Sequence, residues 1–218
     1  MIKVDLHTHS IASKDGRITE LQYRQVLEKG LLDCIAITDH NRIDFAQKLQ
    51  TELGAERIIV GEEITTKQGD VIGLFLTEEI PAGLELVAAV DAIQAQGGLV
   101  YVPHPFETVR SGLQATDLHT IEKSVSLVES ANGRAYFQNR GPEAHAWARM
   151  RELATYASSD AHCAGGLGKT YTQLKERPTV DNLEELAHTG RKIYHRPNIN
   201  DILAPKLNRI GKKIGAIK

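Results

Sequence analysis

The sequence predicts an α/β fold built on a largely parallel sheet. Three observations carry this. Short β-type runs alternate with helical patterns along the 218 residues. Most links between runs are long enough to hold a crossover helix. Polar residues of metal-binding type recur where the runs end, as they do at the C-terminal strand ends of parallel α/β folds. One link departs from the pattern: only "TTKQGD" separates the third and fourth strands. A parallel return needs roughly a dozen residues, so these two strands are expected to form a hairpin and any barrel to be irregular.

The elements follow in chain order. "IKVDLHT" (2–8) is the first strand. Thr19-Glu20-Leu21-Gln22 reads as a capping box, and Gly30 closes the helix it opens. "CIAIT" (34–38), "RIIVGEEI" (57–64) and "VIGLFLT" (71–77) are the next three strands. Leu84, Val87, Ala88 and Ala92 have helical spacing, which stops at Gly97-Gly98. "LVYVP" (99–103), "SLVES" (126–130) and "TYASS" (155–159) complete seven strands. A helix over 142–153 begins with Pro142, suited to a first helical position, and a late helix near 180–189 ends at Gly190. No repeat, low-complexity tract or linker divides the chain, which is read as one domain over 1–218.

Composition narrows the function. Apolar residues make up 41% and charged residues 25%, the balance of a globular protein. A net charge of −2 gives no extended field for duplex DNA or a membrane surface. There is no apolar run near ~20 residues, as a membrane span would need. The N-terminus has no leader pattern, and Cys34 and Cys163 are too few for a disulfide framework, so a cytoplasmic setting is expected. The basic tail "KLNRIGKKIGAIK" is read as a solvated terminus.

The histidines carry the chemistry. Residues i and i+2 of a strand point to one side, so His7 and His9 can aim at one point, and so can Asp160 and His162 in "SSDAH". "AITDH" ends in Asp39-His40, "VGEEI" carries Glu62-Glu63, and "YVPHPF" presents His104. Five of the nine histidines thus sit at or just past a strand's C-terminal end. Each motif alone has an ordinary explanation, such as an incidental strand histidine, a turn or a helix cap. Together they would bury imidazoles and carboxylates at a cost of many kcal/mol unless a cation compensates. Parity leaves open which of Glu62 and Glu63 points inward, and Asp39 is read as a residue that orients a ligating histidine. His119, His145, His188 and His195 fall in helical or late-loop stretches and are read as ordinary surface or core residues.

The series "DLHTHS…ITDH…GEEI…HPF…SSDAH" resembles the PHP (polymerase and histidinol phosphatase) superfamily of metal-dependent phosphoesterases, most of all its small stand-alone members. "VESANGRA", "QNRGPEAHAWARMREL", "GLGKTYTQL" and "HTGRKI" extend the likeness over nearly the whole chain. The resemblance implies a distorted (β/α)7 barrel with two or three divalent ions at the strand C-termini, manganese first, with iron or zinc as options. It implies that His7 and His9 hold one ion, with Glu63 bridging and Asp160 contributing. Asp15 would join His40 and His162 around another ion, and His104 would serve a further one beside Glu63. Related chains often carry histidine where this one has Asp70, which reads either as a ligand or as a turn residue beside Gly69. Glu129 and Asn132 match a stretch lining a strand end.

The expected reaction is hydrolysis of a small phosphomonoester or nucleotide, such as a 3′,5′-bisphosphate or an oligonucleotide end. A hydroxide bridging two ions would attack, and His40 or His162 would protonate the leaving group. Arg110, Arg42 and Arg134 are the candidate phosphate contacts, Arg110 first. "GLGKT" lacks the spacing of a phosphate loop and is read as a turn, and Cys163 as a structural thiol. Two rival classes stand beside this one: a metal-dependent C–N hydrolase of amidohydrolase type, and a non-catalytic metal-binding domain of a larger complex. The absence of a lysine at a mid-chain strand end weighs against the first, and the size of the ligand set against the second.

Overall fold

All seven predicted strands form, and two more follow them. The structure, a computed structural model, describes residues 1–136, 138–195 and 198–217. In chain order the elements are β1 (Ile2–Asp5), α1 (Glu20–Glu28), β2 (Cys34–Ile37), α2 (Asp44–Leu53), β3 (Ile58–Thr65), β4 (Asp70–Leu74), α3 (Leu86–Ala95) and β5 (Leu99–Val102). Then come α4 (Ala115–Ile121), β6 (Leu127–Asn132), α5 (Gly141–Arg149), β7 (Ala154–Ser158), β8 (Tyr171–Leu174), α6 (Leu183–Thr189), β9 (Arg191–Ile193) and α7 (Ile199–Lys213). The capping box at Thr19 and Gln22 forms with both bonds present.

The sheet order is β7-β6-β5-β4-β3-β2-β1-β8-β9. Pairing is parallel except around β4, which runs antiparallel to β3 and β5, and at β8 and β9. The short third link therefore makes a hairpin, with Thr65 opposite Asp70. Because β4 is reversed, its first residue lies at the end where neighbouring strands present their last. The sheet curls until its edges meet: the segment beyond β1 bridges the one beyond β7 at Thr8 and Ala161, and the His9 N–H donates to the Ala161 carbonyl at 2.9 Å. Lower down β8 lies against β1, and the Thr172 hydroxyl bonds both backbone groups of Ala157. The result is a nearly closed barrel, the distorted form expected, with β8 and β9 as strands the sequence reading did not foresee.

Two apolar clusters hold it. One packs α1–α5 on the outside through residues such as Ile35, Ile37, Ile58, Val60, Ile93 and Leu118. The other contains Ile59, Ile72, Tyr101, Leu127 and Tyr156. Ile59 shares a strand face with Glu63, and Leu127 with Glu129, so the apolar interior continues directly into the polar end. Tyr101 marks the change: its ring is buried while its hydroxyl bonds Glu129 at 3.1 Å and Ser158 at 2.8 Å.

The basic tail is not a free terminus. Its described residues lie in and just beyond α7, whose Asn208, Arg209 and Lys212 bond the loop after β1. A helix with buried Ala204, Pro205 and Asn208 has tertiary partners that a charge count cannot see. Among the described residues no helix is long and apolar enough to cross a membrane.

Candidate metal centre

The strand ends bring His7, His9, Asp15, His40, Glu63, Asp70, His104, Asp160 and His162 together in four overlapping groups of potential ligands. Their nitrogen and oxygen atoms lie within 4.8 Å of one another inside each group. Local geometry explains the convergence. β3 stays regular through Thr65, so strict alternation sends Glu63 inward and Glu62 outward to accept the Ile80 N–H at 2.9 Å. A bridge between His40 and Glu63 carries the β2–β3 pairing past β2. His104 (φ 27) and Asp160 (φ 51) adopt the left-handed region that side chains rarely occupy, a strain typical of functional positions.

Nε2 of His7, Nε2 of His9 and Oε2 of Glu63 form the tightest set, with Oδ1 of Asp160 beside the two imidazoles. The two imidazole nitrogens are 3.1 Å apart. Glu63 lies 3.4 and 3.1 Å from them, and Asp160 lies 3.6 Å from each. A cation seated over the atoms of His7, His9 and Glu63, which are spaced at 3.1–3.4 Å, would lie about 2 Å from each, the bond length of a divalent ion to nitrogen or oxygen. Nδ1 of His104 and Oδ1 of Asp70 are buried without a hydrogen-bond partner, so donor capacity is left over. The mixed imidazole and carboxylate chemistry suits a divalent transition metal, and the residues fit such a group.

Electrostatics make the same demand. Burial opposes charge on His7, but Asp160, Glu63 and Glu129 outweigh it and hold the imidazole well above its ordinary pKa. Burial opposes charge on His9 too, yet hydrogen bonds to Asp160 and Glu63 push it up to about 9. Burial would raise Glu63 and Asp160. His40 and His7 drive Glu63 well below the usual range, and Arg134 and His7 do so for Asp160. Without metal, protons on the two histidines supply the positive charge that a cation would otherwise bring. His162 goes the other way, down to about 3, through burial and repulsion from His9 and Arg134. It is a neutral imidazole, suited to ligation and poorly suited to donating a proton.

Glu129 and Asn132 gain a definite place. Glu129 Oε1 faces His7 Nδ1 at 3.2 Å, and its Oε2 accepts the His104 N–H at 2.7 Å and the Asn132 amide at 2.8 Å. A carboxylate on the far nitrogen of a ligating histidine fixes its tautomer and orientation. A register shift in β6 between Glu129 and Ala131 puts residues three apart on one side, against the alternation a sequence reading assumes. Asp39 does not orient a histidine. Its carboxylate accepts from the N–H and hydroxyl of Ser10, at 2.6 and 2.5 Å, and so shapes the loop after β1.

The three arginines separate. Arg42 is bound to Asp44 and the Ala12 carbonyl, away from the cleft. Arg110 reaches the site, but Glu107, Asn132 and Asp160 take its donors. Arg134 is less committed: one terminal nitrogen lies 3.2 Å from both oxygens of Asp160, and its buried Nε has no partner. Above these residues opens a cleft of about 700 Å³, walled on one side by α7. Cys163 is buried and bonds Asp201, consistent with a structural thiol. His119, His145, His188 and His195 are exposed and remote from the cluster.

Asp70 can be tested directly. The turn role belongs to Thr66, whose hydroxyl donates to the Gly69 carbonyl at 2.6 Å and accepts the Gly69 N–H at 3.2 Å. Asp70 groups instead with Glu63 and His104, and burial together with Glu63 pushes its carboxyl up to about 6. Asp70→Ala should lower bound metal by about one ion per chain, read by elemental analysis after dialysis. Unchanged metal content together with unchanged turnover would exclude a ligand role.

Comparison with known proteins bears on this geometry. A family model described as PHP-associated matches residues 142–191. An uncharacterised protein of Methanocaldococcus jannaschii, MJ0417, is 38% identical over 185 residues, covering 80% of this chain and 71% of its own. A two-domain protein from Bacteroides vulgatus that contains a predicted PHP-like metal-dependent phosphoesterase superposes with a TM-score of 0.68 at 22% identity, over 95% of this chain and 69% of that one. An amidohydrolase from Chromobacterium violaceum, solved with bound sulfate and no metal, gives 0.61 at 15% identity, over 87% and 97%.

Proposed function

This chain belongs to the PHP superfamily, and we propose that it is a metal-dependent hydrolase of small phosphoesters, with nucleotides as the leading substrate class. The observation that carries the reading is the convergence of His7, His9, Glu63 and Asp160 beside a cleft lined by Glu63, Asp160 and Arg134. Divalent ions held there would polarise a phosphoryl group and bring the pKa of bound water toward neutrality. The chain's own residues do the rest. Glu129 fixes His7, and the Asp160 carboxylate balances the imidazoles and both arginines. Arg134, which lines the cleft, would bind a phosphate oxygen. His40, the least buried of the five strand-end histidines and a lining residue of the cleft, is assigned the proton for the leaving alkoxide.

The test is phosphate release from a panel of nucleotides, bisphosphates and sugar phosphates with Mn²⁺ present. Cleavage of cyclic amides with no phosphate release would favour the amidohydrolase reading, and no turnover with metal bound would favour a binding domain. Arg134→Ala should raise KM for a phosphomonoester roughly tenfold or more, as expected for loss of a charge-assisted hydrogen bond. An unchanged KM would remove Arg134 from the substrate site.

A further inference from the structure

We infer that Asn208 and Lys212 of α7 are positioning residues for the half of the metal centre formed by Asp15 and His162. The inference rests on the metal-centre reading above. Asn208 is completely buried, and its amide nitrogen donates to two carbonyls, Asp15 at 2.7 Å and His162 at 3.0 Å. Those carbonyls belong to different loops, one after β1 and one after β7. A single planar amide spanning both sets the distance between them. The side chains of the same two residues meet at 3.5 Å, His162 Nε2 to Asp15 Oδ1. Lys212 adds a second tie: its ammonium donates to the Ile11 carbonyl at 2.6 Å and also to that of Ser13.

The loop over residues 11–15 needs such ties. It belongs to no strand; its backbone-to-backbone bonds reach Ser10 and Ile18, and Arg42 holds the Ala12 carbonyl. It folds so tightly over Gly16 that a Cβ there would lie 2.1 Å from the Ser10 carbonyl oxygen. Arg209 also bonds the Asp15 carboxylate at 2.7 Å, but its side chain is 55% exposed and free to leave. Asn208 and Lys212 hold backbone instead, so their bonds persist whatever the carboxylate binds. Ligand placement within about half an ångström decides metal affinity, and loss of a supporting partner typically weakens it 10–100-fold.

The competing explanation is that α7 simply packs, with Asn208 satisfying carbonyls that would otherwise be stranded. Packing alone would lower the melting temperature and leave the affinity of each ion unchanged. Asn208→Leu removes the donor at similar volume, and Lys212→Met keeps the stem without the ammonium. Metal-free wild type and both variants would be titrated with Mn²⁺ by calorimetry, and the retained ions counted after dialysis. In either variant, one ion per chain should bind about 10–100-fold more weakly while the remainder keep wild-type affinity. Wild-type affinity and stoichiometry in both variants, or equal weakening of every ion, would overturn the inference. If Asn208→Leu does not fold, the Lys212→Met titration decides by the same criteria. A wild-type protein that holds no Mn²⁺ would remove the metal centre itself, whereas unchanged variants of a metal-loaded wild type would remove only the role of α7.

Discussion

Asp160→Asn should lower kcat/KM for a phosphoester by at least about three orders of magnitude and strip metal from the protein, while the barrel still forms. The substitution preserves shape and removes one charge. That charge has many dependants. One oxygen lies 3.6 Å from Nε2 of both His7 and His9 and 3.3 Å from His162. The other accepts from Arg110 at 2.5 Å and from Arg134 at 3.2 Å. Removing one partner from a buried ionic network leaves the others uncompensated, which costs about 3–5 kcal/mol where it has been measured. An asparagine amide could also turn its N–H₂ toward the guanidinium groups or the cation, converting attraction into repulsion. The loss should therefore appear in metal content as well as in rate. Circular dichroism at low temperature should match wild type, because the apolar clusters do not include Asp160. Activity within tenfold of wild type, with metal retained, would take Asp160 out of the centre.

The ease of reading this site from sequence follows from where regularity holds. His7 and His9 are two apart in extended chain, and β3 is regular to its end, so alternation is enough to bring them to Glu63. The hairpin at β3–β4 was legible because chain length alone forbids a parallel return. Regularity fails at the register shift in β6, where Glu129 and Asn132 end up on one side although their spacing says otherwise. It also fails at Asp160 and His104, whose left-handed backbone no residue type announces. The basic tail was misread for another reason. Its charges are real, but Asn208 is polar and buried only because two distant carbonyls need a donor. That need exists in three dimensions and leaves no periodic trace. β8 was overlooked because "TYTQL" is short and follows a glycine-rich turn, and its place depends on Thr172 replacing backbone pairing beside β7. Which arginine's donors are taken was equally out of reach, since it depends on Glu107 and Asn132 occupying Arg110.

Removing the metal should lower the melting temperature by about 10 °C near neutral pH, and by more as the pH rises. An ion at a thousand times its dissociation constant stabilises the folded chain by about 4 kcal/mol. For a domain of this size each kcal/mol moves the melting temperature by about 2–4 °C. The pH dependence follows from the metal-free site. His9 is raised to about 9 and His7 also lies above its ordinary value, so both bind protons more tightly folded than unfolded. Burial likewise raises Asp5 and Glu62 to about 7. The stabilisation from the two histidines is complete below pH about 6.5 and is lost as pH climbs toward 9. That from Asp5 and Glu62 is complete below pH about 4 and is lost by pH about 7. On the acid side, His162 is depressed to about 3, so protonation of the unfolded chain destabilises the fold once pH drops below about 6.5. Asp15, Glu63 and Asp160 add to that loss below pH about 4.5, where carboxylates of the unfolded chain take up protons. From pH 6.5 toward pH 9 the metal-free protein should thus weaken steadily as His7 and His9 lose their protons. The loaded protein should not, because metal displaces the protons from His7 and His9 and binds more tightly as they leave. Calorimetric melting with chelator or with Mn²⁺, at pH 6.5 and pH 9, should show a gap that widens at the higher pH. Melting temperatures that coincide with and without Mn²⁺ at both pH values would mean that the clustered imidazoles and carboxylates hold no ion.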